Sequence, residues 1–311
     1  MGGARRSARW TEADVPDQQG RVAVVTGSNQ GLGYEIARGL AASRARVVLA
    51  CRNPVRARAA ADRLLVAVPG ADVRVATLDL ADLASVRSFA DHVLATHDRL
   101  DLLVNNAGLM ALDAARTVDG FEMQLGVNHL GHLALTARLL PLLTATPGSR
   151  VGTMSSMGHR AGRLRLDDLM FDRRGYSRWG AYFQSKLANL LFTAELHRRL
   201  TSSGAGTIAV TAHPGGSHTD LGTEGSSLSN RMMRSLVGPL TQPATIGALP
   251  MLRALTDPGV RGGEFYGPRW IAVGHPVRET PSRAARDADD ARALWDASLE
   301  LVGLPDPVPV R

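Results

Sequence analysis

The sequence predicts an α/β protein: a single domain built on a doubly wound parallel β-sheet with helices on both faces. Two observations carry this. Short apolar runs such as Val22-Ala23-Val24-Val25 and Val47-Val48-Leu49-Ala50 alternate with longer segments of helical periodicity, as parallel strands buried on both faces require. The first run passes through Gly27-Ser28-Asn29-Gln30-Gly31-Leu32-Gly33 straight into a helix pattern at Ile36, Ala37, Leu40 and Ala41. Strands alternating with helices imply right-handed crossovers, and place any ligand at the C-terminal ends of the strands.

Each element can be read in order. Residues 1–19 lack apolar periodicity and form an arm, which Trp10 is placed to dock, and Pro16 to Gly20 signals a turn. Strand, Gly-rich turn and helix N-terminus then make a pyrophosphate site: free backbone N–H groups and the helix dipole face the anion, and glycine lets the backbone turn and approach. The second strand ends in Cys51-Arg52-Asn53, with no carboxylate to take a ribose hydroxyl. Arg52 suits a 2′-phosphate instead, which favours NADP(H) over NAD(H). Arg44 stands where a helix C-terminus usually takes Gly.

A helix is expected from about Asn53 to Val68. A strand over 73–78 then ends at Asp79-Leu80, and Asp82 caps a helix running to Thr96. Leu102-Leu103-Val104 leads into Asn105-Asn106-Ala107-Gly108, and a long helix is expected from Thr117 to Leu143, with Asn128 inside it. A strand near 150–154 runs into Ser155-Ser156. The helix bearing Tyr182 and Lys186 follows, then a strand over 207–211 that ends in His213-Pro214-Gly215. The Gly- and Ser-rich stretch from about 215 to 243, with a helix-like patch at 228–236, has the composition of a substrate lid. A helix over 243–255 and the segment 262–273 complete the body, which spans 20–275. Residues 276–311 are a C-terminal helix (283–302) and tail.

Composition narrows the class. With 311 residues, 44% hydrophobic and 21% charged, the chain matches a soluble globular protein. No apolar run approaches the roughly 20 residues that span a bilayer, and no signal peptide follows Met1, so a cytoplasmic protein without membrane contact is expected. The lone Cys51 excludes an internal disulfide and a Cys-based metal site. The net charge of +7 comes from scattered arginines, with no basic tail and no aromatic platform, which argues against nucleic acid.

The chemistry centres on Tyr182-Phe183-Gln184-Ser185-Lys186. Of the 36 Lys+Arg residues one is lysine, Lys186, and it stands four residues after a tyrosine, on the same helix face. In a closed site the ammonium favours the phenolate, lowering a pKa that is about 10 when unperturbed. Such a phenol gives or takes a proton at a carbonyl or alcohol oxygen. Arginine, always charged and planar, is no substitute.

Together, Thr26-Gly27-x-x-x-Gly31-x-Gly33, Asn105-Asn106-Ala107-Gly108, Asn128, Ser156, Tyr182-x-x-x-Lys186 and Pro214-Gly215-x-x-x-Thr219 resemble, in order, the short-chain dehydrogenase/reductase family in its short single-domain branch. Asn53, Asn128-His129-Leu130-Gly131-His132 and Lys186-Leu187-Ala188-Asn189 are most similar to its retinol dehydrogenase and protochlorophyllide reductase-like group, as is the long loop between Ser156 and Tyr182. The resemblance implies a Rossmann-type fold and gives roles to matching positions. Tyr182 would be the general acid or base. Lys186 would lower its pKa and bond the nicotinamide ribose, Ser156 would donate to the substrate oxygen, and Asn128 would anchor a proton-relay water. Gly27, Ser28, Asn29, Gln30, Gly31, Leu32 and Gly33 would surround the pyrophosphate, Arg52 and Asn53 the 2′-phosphate, and Asp79 and Leu80 the adenine. Asn106, Ala107 and Gly108 would line the adjoining ribose, with Pro214, Gly215 and Thr219 at the carboxamide. No metal is implied.

The resemblance implies a small-molecule carbonyl or alcohol substrate. Met110, Met157, Trp179, Phe183 and Leu221 suggest an apolar or amphipathic one. His159 and His218 also lie nearby in sequence and receive no catalytic role. Reduction of an activated C=C bond and a low-turnover NADPH-binding sensor are the alternatives, the latter disfavoured by the intact Tyr–Lys pair. A homodimer or homotetramer is the family's usual assembly. The membrane anchor that many retinol dehydrogenases carry has no counterpart here, which argues against a membrane-bound retinoid enzyme.

Overall fold

Eight strands lie in the order β3-β2-β1-β4-β5-β6-β7-β8 in the computed structural model, which describes residues 9–216 and 242–308. They are β1 (Val22–Thr26), β2 (Arg46–Cys51), β3 (Val73–Thr77), β4 (Leu102–Asn105), β5 (Arg150–Met154), β6 (Ile208–Ala212), β7 (Phe265–Pro268) and β8 (Pro276–Glu279). All neighbours pair in parallel except β7 with β8. The chain winds outward from β1 in one direction to β3 and in the other from β4 onward. The crevice between the ends of β1 and β4 is therefore the topological switch point, where open α/β sheets hold ligands.

Alternate residues of each strand feed two cores. Val22 and Val24 face α3 (Leu83–Thr96), α5 (Gly131–Ala145), α6 (Arg178–Ser202) and α9 (Ala288–Val302). Ala23 and Val25 face α1 (Gly31–Ala42), α2 (Pro54–Ala67) and α8 (Leu249–Thr256). Both faces of β1 are buried, which is why its sequence is uninterrupted apolar. Asn53 and Asp82 cap α2 and α3 by accepting from Arg56 N and from Ala84 and Ser85 N. Trp10 packs into the second core at 7% exposure, and Glu12 holds Arg38 of α1 with two bonds of 2.6 and 2.8 Å, so this part of the arm is docked.

Several boundaries differ from the sequence reading. The helix expected from Thr117 begins only at Met123: Thr117 and Phe121 close a turn through Gly120 at φ +86°, and Arg116 bridges to Glu122. Helix α4 (Met123–Leu125) then passes through a π-helical turn, Gly126–Leu130, before α5. The helix expected over 243–255 is divided into α7 (Ala244–Gly247) and α8, because Pro250 has no N–H for the Ile246 carbonyl. Strand β8 has no counterpart in the sequence reading; four residues led by a proline show no period. Arg44 takes a left-handed φ of +73°, the conformation for which glycine is usual. The expected lid helix at 228–236 lies outside the described residues.

Candidate active site

The Gly-rich turn is shaped by what a side chain would strike. Gly27 and Gly31 have φ of +63° and +57°, and a Cβ on Gly27 would lie 2.9 Å from Ala107 Cα. A Cβ on Gly33 would lie 2.4 Å from the Gly27 carbonyl and 2.5 Å from Asn106 Nδ2, so the turn is folded tightly against the end of β4. Gln30 precedes α1 without a side-chain cap, and no acidic residue occupies the first turn. The leading N–H groups of this helix are thus left for an anion. Ser28 and Leu32 are buried beneath the turn, with Ser28 Oγ donating to Val25 O at 2.8 Å.

Past β2, Arg52 is exposed and pairs with no carboxylate among the described residues. Asn53 is occupied as the α2 cap. Arg63 reaches back from α2 to donate to the Asn29 carbonyl at 3.0 Å, with its guanidinium 5.1 Å from the Tyr34 ring centroid. Asp79 holds its own loop by accepting from Ala81 N at 2.9 Å. Leu80 is buried, its carbonyl so close to Gly131 that a Cβ there would lie 2.5 Å away.

The Asn106-Ala107-Gly108 turn is tied to β1 by one residue. Thr26 Oγ1 accepts from the N–H groups of Asn106 and Ala107, both at 2.9 Å, and Asn106 Nδ2 donates to Thr26 O at 2.9 Å. Gly108 then passes so near the π-turn and α6 that a Cβ would lie 3.2 Å from Asn128 Oδ1 and 3.3 Å from Lys186 Nζ. The turn after β4, the π-turn of Asn128 and the helix of Lys186 therefore meet at one point.

Asn128 is fully buried, and its amide is largely used. Nδ2 donates to Leu109 O (3.0 Å) and Ser185 Oγ (2.9 Å), while Oδ1 accepts from Leu109 N (2.7 Å). Ser185 passes the link on to Tyr182 O at 2.8 Å. Of the two serines after β5, Ser155 is buried and donates to Lys186 O at 2.8 Å. Ser156 is partly exposed and accepts from Gly158 N at 3.1 Å, and its side chain acts on the Tyr182 phenol in the sense that favours the phenolate.

Burial governs the charges here. It pushes the Tyr182 phenol up, and the neighbouring Ser156 side chain only partly offsets this. Burial also lowers Lys186 to about 8; its Nζ donates to Met154 O at 3.3 Å and lies 5.8 Å from the Tyr182 ring centroid. The dry surroundings disfavour the charged form of each group.

Trp179 and Phe183 stand beside the phenol with ring centroids 6.1 and 6.0 Å from that of Tyr182, and Met110 and Met157 are partly exposed. Pro214 and Gly215 follow β6. Gly215 has φ +69°, and a Cβ on it would lie 2.3 Å from Ala272 O. Gln242 N donates to Gly216 O at 2.7 Å. Thr219, Leu221, His218 and most of the expected lid lie outside the described residues.

The bonds of three supporting histidines emerge only in three dimensions. His159 Nδ1 donates to Ser156 O at 2.7 Å, and its Nε2 accepts from Ser282 N. His213 Nδ1 accepts from Gly215 N at 3.2 Å and its Nε2 bonds Glu279 of β8 at 2.9 Å. His132 joins Asn128 to Thr26. Each has one near partner and one on a distant segment (Ser282, Glu279 and Thr26), and local sequence could not show the distant one. Among the described residues no group of His, Cys, Asp and Glu is arranged to hold a metal, and no helix is long and apolar enough to cross a membrane.

These features define a class: an α/β protein with a Gly-rich turn at the switch point of its sheet and a buried Tyr–Lys pair close by. A family profile described as short chain dehydrogenase matches residues 21–228. Human retinol dehydrogenase 12 is 39% identical over 290 residues, covering 92% of this chain and 87% of that protein. Mouse retinol dehydrogenase 11 is 41% identical over 288 residues, with the same shares, 92% and 87%. A crystal structure of an uncharacterized protein from Mycobacterium paratuberculosis superposes with a TM-score of 0.82 at 44% identity, covering 96% of this chain and 99% of that one. A short chain dehydrogenase from Burkholderia cenocepacia in complex with NADP has a TM-score of 0.63 at 25% identity, covering 82% and 98%. The chain belongs to the short-chain dehydrogenase/reductase family of oxidoreductases and is retinol dehydrogenase-like.

Proposed function

We propose that this protein is an NADP(H)-dependent oxidoreductase acting on the carbonyl or alcohol carbon of an apolar or amphipathic small molecule. The observation that carries the reading is the meeting of Gly108, Asn128 and Lys186 at one point, with the Tyr182 phenol buried beside it and the Ser156 side chain acting on that phenol. The tight Gly27–Gly33 turn and the uncapped start of α1 fit a pyrophosphate, and Arg52, free of any carboxylate among the described residues, fits a 2′-phosphate. When bound, the nucleotide supplies or accepts the hydride.

The chain's own residues handle the proton. In reduction Tyr182 Oη gives its proton to the substrate oxygen; a raised phenol pKa keeps that proton in place until the oxygen becomes basic. Ser156, held by His159 through its backbone, steadies the same oxygen with its hydroxyl. Lys186, near neutrality in its pKa, returns the proton or holds the developing phenolate by its charge. Asn128 fixes the wall behind Lys186, and its remaining acceptor sites, on Oδ1 and the backbone carbonyl, suit a relay water. Trp179, Phe183, Met110 and Met157 favour an apolar substrate, in keeping with the names of the retinol dehydrogenase relatives. The test is loss of NADPH absorbance with a panel of apolar aldehydes and ketones, run beside NADH. Turnover with NADPH in preference to NADH is expected; no turnover across the panel contradicts the reading.

A further inference from the structure

His132 sits on the first turn of α5 at 1% exposure, and both of its ring nitrogens are engaged. Nδ1 lies 3.1 Å from the backbone oxygen of Asn128, and Nε2 lies 2.9 Å from Thr26 Oγ1. A carbonyl only accepts, so Nδ1 carries the proton. Burial, reinforced by the charge of Lys186, lowers the ring to about 4, so it is neutral and Nε2 is an acceptor. The Thr26 hydroxyl then turns its hydrogen to Nε2 rather than to Val104 O at 3.2 Å. That leaves two lone pairs on Thr26 Oγ1 for the two N–H groups of Asn106 and Ala107. A protonated ring, or one protonated only at Nε2, would bring a third donor to Thr26 Oγ1 and push the Asn106 N–H onto its second acceptor, Val104 O at 3.0 Å, and the Nε2-only form would also set an Nδ1 lone pair against the Asn128 carbonyl. One tautomer satisfies every member of this buried set.

We infer that His132 is a positioning residue, a neutral Nδ1–H imidazole that sets the catalytic wall at Asn128 against the nucleotide floor at Thr26, Asn106 and Ala107. The spacing it fixes is narrow. At Gly108 the two sides approach so closely that a single added methyl would crowd both Asn128 Oδ1 and Lys186 Nζ. The imidazole has two separate links, and each governs one side. Its bond to Asn128 O steadies the wall that holds Lys186, and its bond to Thr26 steadies the turn beneath the nucleotide. The kinetic consequence rests on the oxidoreductase reading above; the bonding pattern does not.

Two substitutions separate the links. In His132→Asn the amide nitrogen replaces Nδ1 and keeps the bond to Asn128 O. In His132→Gln the amide oxygen reaches the place of Nε2 and keeps the bond to Thr26. The loss in His132→Asn should fall mainly on NADPH affinity, with Kd rising about tenfold, the worth of one buried hydrogen bond. In His132→Gln it should fall mainly on kcat at saturating NADPH, again about tenfold. Parallel losses of Kd and kcat in both variants, tracking their melting temperatures, would show a packing role only and overturn the inference. Nitrogen NMR of the wild-type imidazole provides a readout independent of turnover and of variant folding. A neutral Nδ1–H ring at neutral pH is expected, and an Nε2–H or charged ring overturns the assignment. If wild type neither binds nor oxidises NADPH, the proposed function fails, and the NMR result alone decides the role of His132.

Discussion

Replacing Gly33 by alanine tests the nucleotide turn with a change of one methyl group. The new Cβ would stand 2.4 Å from Gly27 O and 2.5 Å from Asn106 Nδ2, about 1 Å inside ordinary contact distance. Neither neighbour can yield alone. Gly27 is held at φ +63° with its own Cα facing Ala107, and Asn106 Nδ2 is bonded to Thr26 O at 2.9 Å. The turn must therefore move off the end of β4, and overpacking of this kind costs about 1–3 kcal/mol. Placed on the binding step, that is roughly a 10- to 100-fold rise in NADPH Kd. Gly39→Ala is the matched control, because it lies in the same helix. There the Cβ would meet Leu252 Cδ1 at 2.8 Å, the end of a flexible side chain, while alanine favours the helix by about 1 kcal/mol. Fluorescence titration with NADPH reads Kd, and thermal unfolding checks the fold. Wild-type affinity in Gly33→Ala, or an equal loss in Gly39→Ala, would refute the reasoning.

Other expectations follow from the same geometry. Arg52→Asp removes the cation and supplies the carboxylate that a 2′-hydroxyl prefers, so the NADPH-to-NADH ratio of kcat/KM should fall at least about tenfold; an unchanged ratio would remove Arg52 from the 2′-phosphate site. Arg44→Gly relieves a left-handed φ of +73° and loses only an exposed ion pair to Asp17. It should raise stability by about 1 kcal/mol in urea unfolding, and destabilisation would contradict this. Burial lowers His129 to about 3 and His132 to about 4, against 6.5 for a free ring. The unfolded chain thus binds more protons below pH 6.5, so the contribution of each neutral ring is complete above that pH and is lost as pH falls toward 4 and then 3. The loss is on the order of 3 kcal/mol for His132 and about 5 kcal/mol for His129, seen as a falling urea midpoint. A midpoint that stays level from pH 6.5 to 4 would show that the rings are not buried as neutral groups.

The sequence made the central sheet legible because its strands are buried on both faces. Val22–Val25 and Val47–Ala50 had to be unbroken apolar runs, and Asn53 and Asp82 announce their helices by capping chemistry. Short or irregular elements, which carry no periodic pattern, were not legible. Strand β8 is an edge of four residues opposite β7, and the turn at 117–121 resembled a helix until Gly120 closed it. The π-turn at Gly126–Leu130 leaves no periodic mark at all. In the site, spacing along one helix pointed to Tyr182 and Lys186. Thr26, Ser185, His132, His159 and His213 act through bonds to other segments, as Thr26 does with His132 and Asn106. Burial raises the phenol and lowers the ammonium, a desolvation set by packing that no single helix contains.

The most direct test of the account is kcat and NADPH affinity of Tyr182→Phe. Removing one hydroxyl takes away the proton donor and leaves the glycine turn, Arg52 and Lys186 in place. The expected result is a kcat lower by about 10²- to 10⁴-fold, the range for a positioned general acid, with Kd for NADPH within about threefold of wild type. A Tyr182→Phe variant that reduces carbonyls at the wild-type rate would show that Tyr182 is not the proton donor, and the proposed function would fall with it.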